Sequence, residues 1–314
     1  MLIKAERRQR KNQTKLAFSH QRLNKNLEGK ELKVINSQIT KQGIDAIGSL
    51  ATTARQVTNY QLIKHDIDVI GSPVTAARFD VQIEMMLEWA SDRASKVVCV
   101  ANVHMLTEAH WHPEFGSVLK NADMVTPDGM PLVWMLKLMG ARYQNRVAGM
   151  DILLSLCQKA PKRNISIFFL GSEAEILERM RRKLESEFPQ LQIAGMEPLP
   201  FRPLTRAEDE ALIQKIHDSK AGIVLVSLGC PKQEYWMNQH KDKIESVMIG
   251  LGGVFPVYAG IHKRAPLWIR NLGLEWFYRL IQEPRRLWKR YKSTIPPFVW
   301  LAFMQLLRCR LKFR

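Results

Sequence analysis

Asp128 stands between Pro127 and Gly129 in TPDGMPLVW, a turn that presents a carboxylate at the end of a short apolar run. A carboxylate so placed serves as general base to any hydroxyl within hydrogen-bond reach. An Asp just before a helix is equally a helix N-cap, and both readings stand. Arg146, in QNRVAG, carries a permanent, bidentate charge suited to a diphosphate, or is merely solvated. Gly252 and Gly253, in GLGGVF, allow backbone N–H groups to approach phosphate oxygens. Their pattern is neither GxGxxG nor a Walker loop, and close strand–helix packing calls for the same residues. Gly229, Gln233 and Glu234, in SLGCPKQE, supply hydrogen bonds for a sugar or base, or simply open a helix. Asn102, in ANVHM, is a further polar group closing an apolar run. Asp66-Ile67-Asp68 contains the DxD spacing that can hold a divalent cation. It precedes the first strand, at the wrong end for such a site, so no metal and no cofactor are expected.

The elements that must position these residues alternate. IDVIG (67–71), VVCVAN (97–102), ISIFFLG (165–171), LQIAGM (191–196), GIVLVSLG (222–229) and VMIGLGG (247–253) read as strands. Between them the pattern predicts helices over 76–89, from 103 to Lys120, over 130–139 and 151–157, and through Glu187. Continuous apolar strands separated by amphipathic helices imply an α/β fold, a Rossmann-like parallel sheet covered on both faces. Ligands of such sheets sit at the carboxyl ends of the strands, where Asn102, Asp128, Gly229 and Gly252 fall.

Charge divides the chain further. The net charge is +17, yet residues 1–60 hold 12 Lys/Arg against 4 Asp/Glu and residues 262–314 hold 13 against 2, leaving 61–261 nearly neutral. The division predicts a flexible basic extension (1–60), a catalytic α/β body (61–261) and a basic, aromatic C-terminal appendage (262–314). A neutral body argues against a nucleic-acid binder, and a missing dinucleotide fingerprint argues against a dehydrogenase. The four cysteines are widely spaced, as in a reducing compartment. MLIKAERRQRKNQTK lacks the apolar core of a signal peptide, and TIPPFVWLAFMQLL is too short to span a bilayer. In RRLWKRYK, Leu287, Trp288 and Tyr291 are expected on one side and cations on the other, the pattern of a helix lying on an anionic membrane surface. Leu274, Phe277, Tyr278 and Ile281 recur at helical spacing and are expected to dock on the body or on lipid. An apolar tail also makes a homo-oligomer an expectation.

ANVHM (101–105), TPDGMPLVW (126–134), RVAGMD (146–151), FFLGS (168–172), SLGCPKQE (227–234), GLGGVFPVYAG (250–260) and RAPLWIRNLGLEWFYRLIQEPRRLWKRY (264–291) together resemble the bacterial WecG/TagA/CpsF glycosyltransferases. The resemblance covers roughly 66–292. It implies inverting, metal-independent transfer of N-acetylmannosamine from a UDP-sugar donor. The acceptor is N-acetylglucosamine on a polyprenyl diphosphate, at the cytoplasmic face of the inner membrane, with the enzyme peripheral. An N-acetylmannosaminuronic acid or other hexose donor is the alternative. On this resemblance Asp128 is the general base, and Asn102, Arg146 and Gln233 belong to the donor site. Arg279, Arg286 and Arg290 stabilise the leaving diphosphate. One departure is Val100-Ala101, where the family often carries a Thr before the Asn.

Overall fold

The computed structural model describes residues 65–312 other than Phe201, with the backbone alone for Asn271, Arg286, Arg310 and Lys312. The basic extension read over 1–60 lies outside the described residues.

Six strands form one parallel sheet: β3 (Lys96–Ala101), β4 (Met124–Pro127), β5 (Ile167–Gly171), β6 (Ile193–Glu197), β7 (Ile223–Ser227) and β8 (Val247–Gly250). Their order is β4-β3-β8-β7-β5-β6, each pair parallel. KVVCVA, IFFLG, IVLVS and VMIG are buried along almost their whole length, which requires cover on both faces. That cover comes from α1 (Phe79–Ser91), α2 (Val103–Trp111), α3 (Pro113–Asn121), α4 (Met130–Leu138), α5 (Gly149–Lys159), α6 (Ala174–Glu187), α7 (Arg206–Asp218) and α8 (Lys232–His240). Short helices α9 (Val254–Tyr258), α10 (Leu267–Asn271) and α11 (Glu275–Gln282) lead into the 29-residue α12 (Pro284–Lys312). Local chemistry marks the boundaries. Asn102 caps α2, Thr205 and Glu208 form a reciprocal capping box on α7, and Pro113 starts α3 after a break at His112.

Three sequence expectations are revised. IDVIG does not join the parallel sheet. Its residues form β1 (His65–Val69), antiparallel to β2 (Ser72–Ala76), with Ile70-Gly71 as a two-residue loop. Both loop residues have positive φ, +47° and +91°, the requirement of a tight hairpin turn. A β-branched residue is costly there, and Ile70 is held by its surroundings. Its side chain is buried, its carbonyl faces His110 Nδ1 at 3.0 Å, and its N–H donates to Gln305 Oε1 at 2.9 Å. Gln305 Nε2 in turn donates to Asp68 O at 2.7 Å, so α12 clasps the hairpin. The helix expected from Ala76 starts at Phe79, because Ala76 completes β2. The stretch read as one helix to Lys120 is two.

α12 continues through Pro296 and Pro297 and buries Leu287, Phe298 and Ala302. Leu287 and Trp288 point to opposite environments, buried and exposed, while Tyr291 faces a cavity. The single aromatic face expected for these three is therefore split, as successive helical residues turn by about 100°. α11 has no buried residue, with Phe277 and Ile281 exposed. Among the described residues, no helix is long and apolar enough to cross a membrane.

Candidate active site

A cavity of about 500 Å³ opens where the carboxyl ends of β3 and β4 meet α4, α11 and α12. Asn102, Asp128, Arg146, Arg279 and Arg290 line it, joined by His104, Glu275, Trp134, Trp276 and Tyr291. Five of the eleven residues singled out from sequence thus converge on one space, from two helices and three connecting segments.

Asp128 is fixed from both sides. Its N–H donates to Ala101 O at 2.9 Å, locking the turn onto the end of β3. Its Oδ1 accepts from Gly149 N at 3.3 Å, at the start of α5. It does not cap the helix that follows it: the N-cap of α4 is Gly129, without a side-chain bond. The carboxylate therefore faces the cavity while touching the positive end of a different helix. Burial pushes its pKa up to about 6, and Glu275 adds to the rise. Arg146, Arg279 and the Gly149 N–H pull the other way. A carboxyl poised near neutrality suits proton transfer.

Arg146 Nη1 donates to Glu275 Oε2 at 2.5 Å, and Nη2 lies 3.8 Å from Asp151. Asp151 also pairs with Arg264, and Arg270 stands 4.0 Å away. Arg279 and Arg290 have no acidic partner among the described residues. The Arg290 Nε is buried and lacks a hydrogen-bond partner among them. His104, beside Arg290 and partly buried, is held below its ordinary pKa by burial and by that cation. Two arginines without an ion-pair partner among the described residues make the polar end of the cavity receptive to an anion.

The remaining glycines and amides form a neighbouring group at the ends of β5, β7 and β8. Gln233 and Glu234 are buried, with Gln233 Nε2 donating to Glu234 Oε1 at 2.6 Å, and neither lines the cavity. Burial pushes the Glu234 carboxyl up to about 7. The packing alternative for the glycine loop is what the geometry displays. A Cβ on Gly250 would stand 2.8 Å from Gln233 Nε2, and one on Gly252 3.2 Å from Gln233 Oε1. Gly252 also needs its φ of +49°. Gly229, at φ +79°, borders open space. The two groups meet at Gly253, where a Cβ would lie 2.9 Å from Arg279 Nη2. Arg286 falls on α12, with its side chain outside the description.

Asp66 and Asp68 serve the hairpin, accepting from Thr75 Oγ1 and Gly71 N. Sequence reasoning missed Glu275, and a signal existed: it is one of only two acids in the basic segment 262–314. Asp151, Arg264 and Arg270 were missed because each looks like an ordinary surface charge until the chain from 264 to 270 comes back onto the start of α5.

A model of the Glycosyl transferase WecG/TagA/CpsF family matches residues 67–312. Over 203 residues the chain is 34% identical to the N-acetylglucosaminyldiphosphoundecaprenol N-acetyl-beta-D-mannosaminyltransferase of Bacillus spizizenii, covering 64% of this chain and 76% of that one. It is also 34% identical over 212 residues to the protein of the same name from Bacillus subtilis strain 168, covering 67% and 80%.

Proposed function

The chain belongs to the WecG/TagA/CpsF glycosyl transferase family, and on that premise we propose that it transfers N-acetylmannosamine from a UDP-linked donor to N-acetylglucosamine on a polyprenyl diphosphate, with inversion. The observation that carries this reading is a cavity-facing carboxylate, its pKa raised by burial, beside Arg279 and Arg290, which have no acidic partner among the described residues. The acceptor hydroxyl oxygen attacks the anomeric carbon, and Asp128 takes the hydroxyl proton. The bond from that carbon to the UDP oxygen breaks, and UDP leaves with the electron pair. Arg146, Arg279, Arg286 and Arg290 meet the diphosphate charge of the two substrates. Asn102 orients the donor. Gln233 and Glu234 act from below, shaping the glycine loop of Gly229, Gly252 and Gly253 against which the nucleotide lies.

Residues 61–261 form the catalytic body, and 262–314 complete the cavity while resting on an anionic membrane surface at its cytoplasmic face. Exposed Trp268, Trp288 and Trp300, interspersed with cations, suit headgroup depth. The decisive assay is UDP release from UDP-N-acetylmannosamine in EDTA, with and without a short-chain polyprenyl-diphosphate-linked N-acetylglucosamine. Acceptor-dependent release is expected. Silence with every UDP-sugar, together with no UDP binding, would overturn the reading.

A further inference from the structure

The charged groups of the cavity are gathered at one end. Beyond Thr294 its wall on α12 is apolar, with Ile295, Phe298, Ala302 and Leu306 recurring at helical spacing, and Trp134 and Leu138 of α4 also line it. From Arg290 to Leu306 this limb follows α12 for about 24 Å, at ~1.5 Å per residue. Among the described residues, no charged side chain of α12 lines it past Arg290. Its outer rim is open: Leu138 is 65% exposed and Phe303 52%. A sugar nucleotide finds no polar partner there, whereas a hydrocarbon chain would cover apolar walls that otherwise face water.

We propose that the limb between α4 and α12 is a binding groove for the polyprenyl chain of the acceptor. The diphosphate sits at Arg279 and Arg290, and the first isoprene units run along α12. This rests on the transfer reading above and extends it: the protein reads the lipid as well as the sugar. Continuity carries the assignment, since the groove begins at cations that lack an acidic partner among the described residues and, beyond Tyr291 and Thr294, its wall on α12 is lined by apolar side chains.

The test compares acceptors with one headgroup, N-acetylglucosamine diphosphate, bearing either an ethyl group or a chain of three isoprene units. The assays are run in detergent micelles, so that recruitment to a bilayer contributes nothing. The wild-type kcat/KM is expected to be at least about tenfold higher for the isoprenoid acceptor, from burial of its carbons. Ala302→Trp, which fills the groove, and the rim double variant Leu138→Gln/Phe303→Gln, whose exposed sites tolerate the change, should each erase that advantage. Their kcat/KM for the ethyl acceptor should stay within about twofold. Equal wild-type rates on both acceptors, or equal loss on both in the rim variant, would overturn the groove. So would a rim variant whose sedimentation shows a lost dimer, since the limb would then belong to a second copy. If the wild type turns over neither acceptor, the transfer reading falls on its own. The groove is then decided by Trp fluorescence titration with farnesyl diphosphate, which must bind the wild type and not the variants.

Discussion

Asp128 concentrates the energetic conflict of the site in one side chain. Its folded pKa, about 6, lies above the unfolded value of 3.8, so the folded state holds the proton more tightly. The ionised carboxylate therefore costs stability, fully above about pH 6 and progressively less as pH falls toward 4. Asp128→Asn should abolish transfer, by about 10²–10⁴-fold or more, and yet raise stability at pH 8. We expect a gain on the order of 1–2 kcal/mol, less than the full shift implies because the cavity leaves the group partly hydrated. Thermal denaturation at pH 8 and pH 4.5 checks this, with the gain shrinking at the lower pH. An unchanged melting temperature at pH 8 would mean that the carboxylate is not strained. That Asp128 would stand at a strand end was legible from its turn between Pro127 and Gly129, while local sequence left open whether it faced a cleft or capped the next helix. The helix it would touch was not, because the start of α5 follows a loop whose path no local pattern dictates.

α11 is held without a core. It buries no residue, and its ties include Glu275 to Arg146, a pair of hydrogen bonds between Gln282 and the Lys263 backbone, Trp276 edge-on to Tyr291, and Arg279 close to Gly253. Glu275→Gln should weaken the first tie and remove a negative charge that raises the Asp128 pKa. The acid limb of the kcat/KM profile, expected near pH 6 in the wild type, should then move to lower pH, and limited proteolysis should cut sooner near α11. A limb that stays in place would detach Glu275 from the titration of Asp128. The parallel sheet was legible because each of its inner strands is an unbroken apolar run. β4 was not read as a strand, being four residues long and ending in Pro127. The β1–β2 hairpin was missed for a different reason: its turn is Ile70-Gly71, and local rules ask for Asn or Asp at the first position. Tertiary contacts from His110 and Gln305 hold what local preference opposes.

At the scale of the molecule, charge and apolar surface are segregated. Residues 262–314 join 13 Lys/Arg and only 2 Asp/Glu to exposed Trp288, Trp300 and Phe303, while residues 61–261 are close to neutral. Sedimentation with anionic vesicles should therefore retain the protein at low salt and release much of it between 0.05 and 0.5 M, as the screening length falls from roughly 14 to 4 Å. Retention on zwitterionic vesicles equal to that on anionic ones would remove charge from the account. The charge division was legible from composition alone. That α12 would also wall the cavity was not, since nothing local links residues 290–306 to Asp128. The clasp between Gln305 and the hairpin has a further consequence, one of timing. Ile70 and Gln305 are 235 positions apart, which at about 5–20 residues per second separates their synthesis by roughly 12–47 s. Until then a nascent chain has its sheet and its carboxylate but no outer wall to its cavity. A chain cut short before α12 would thus lack both that wall and Arg290, one of the two cations of the cavity without an acidic partner among the described residues.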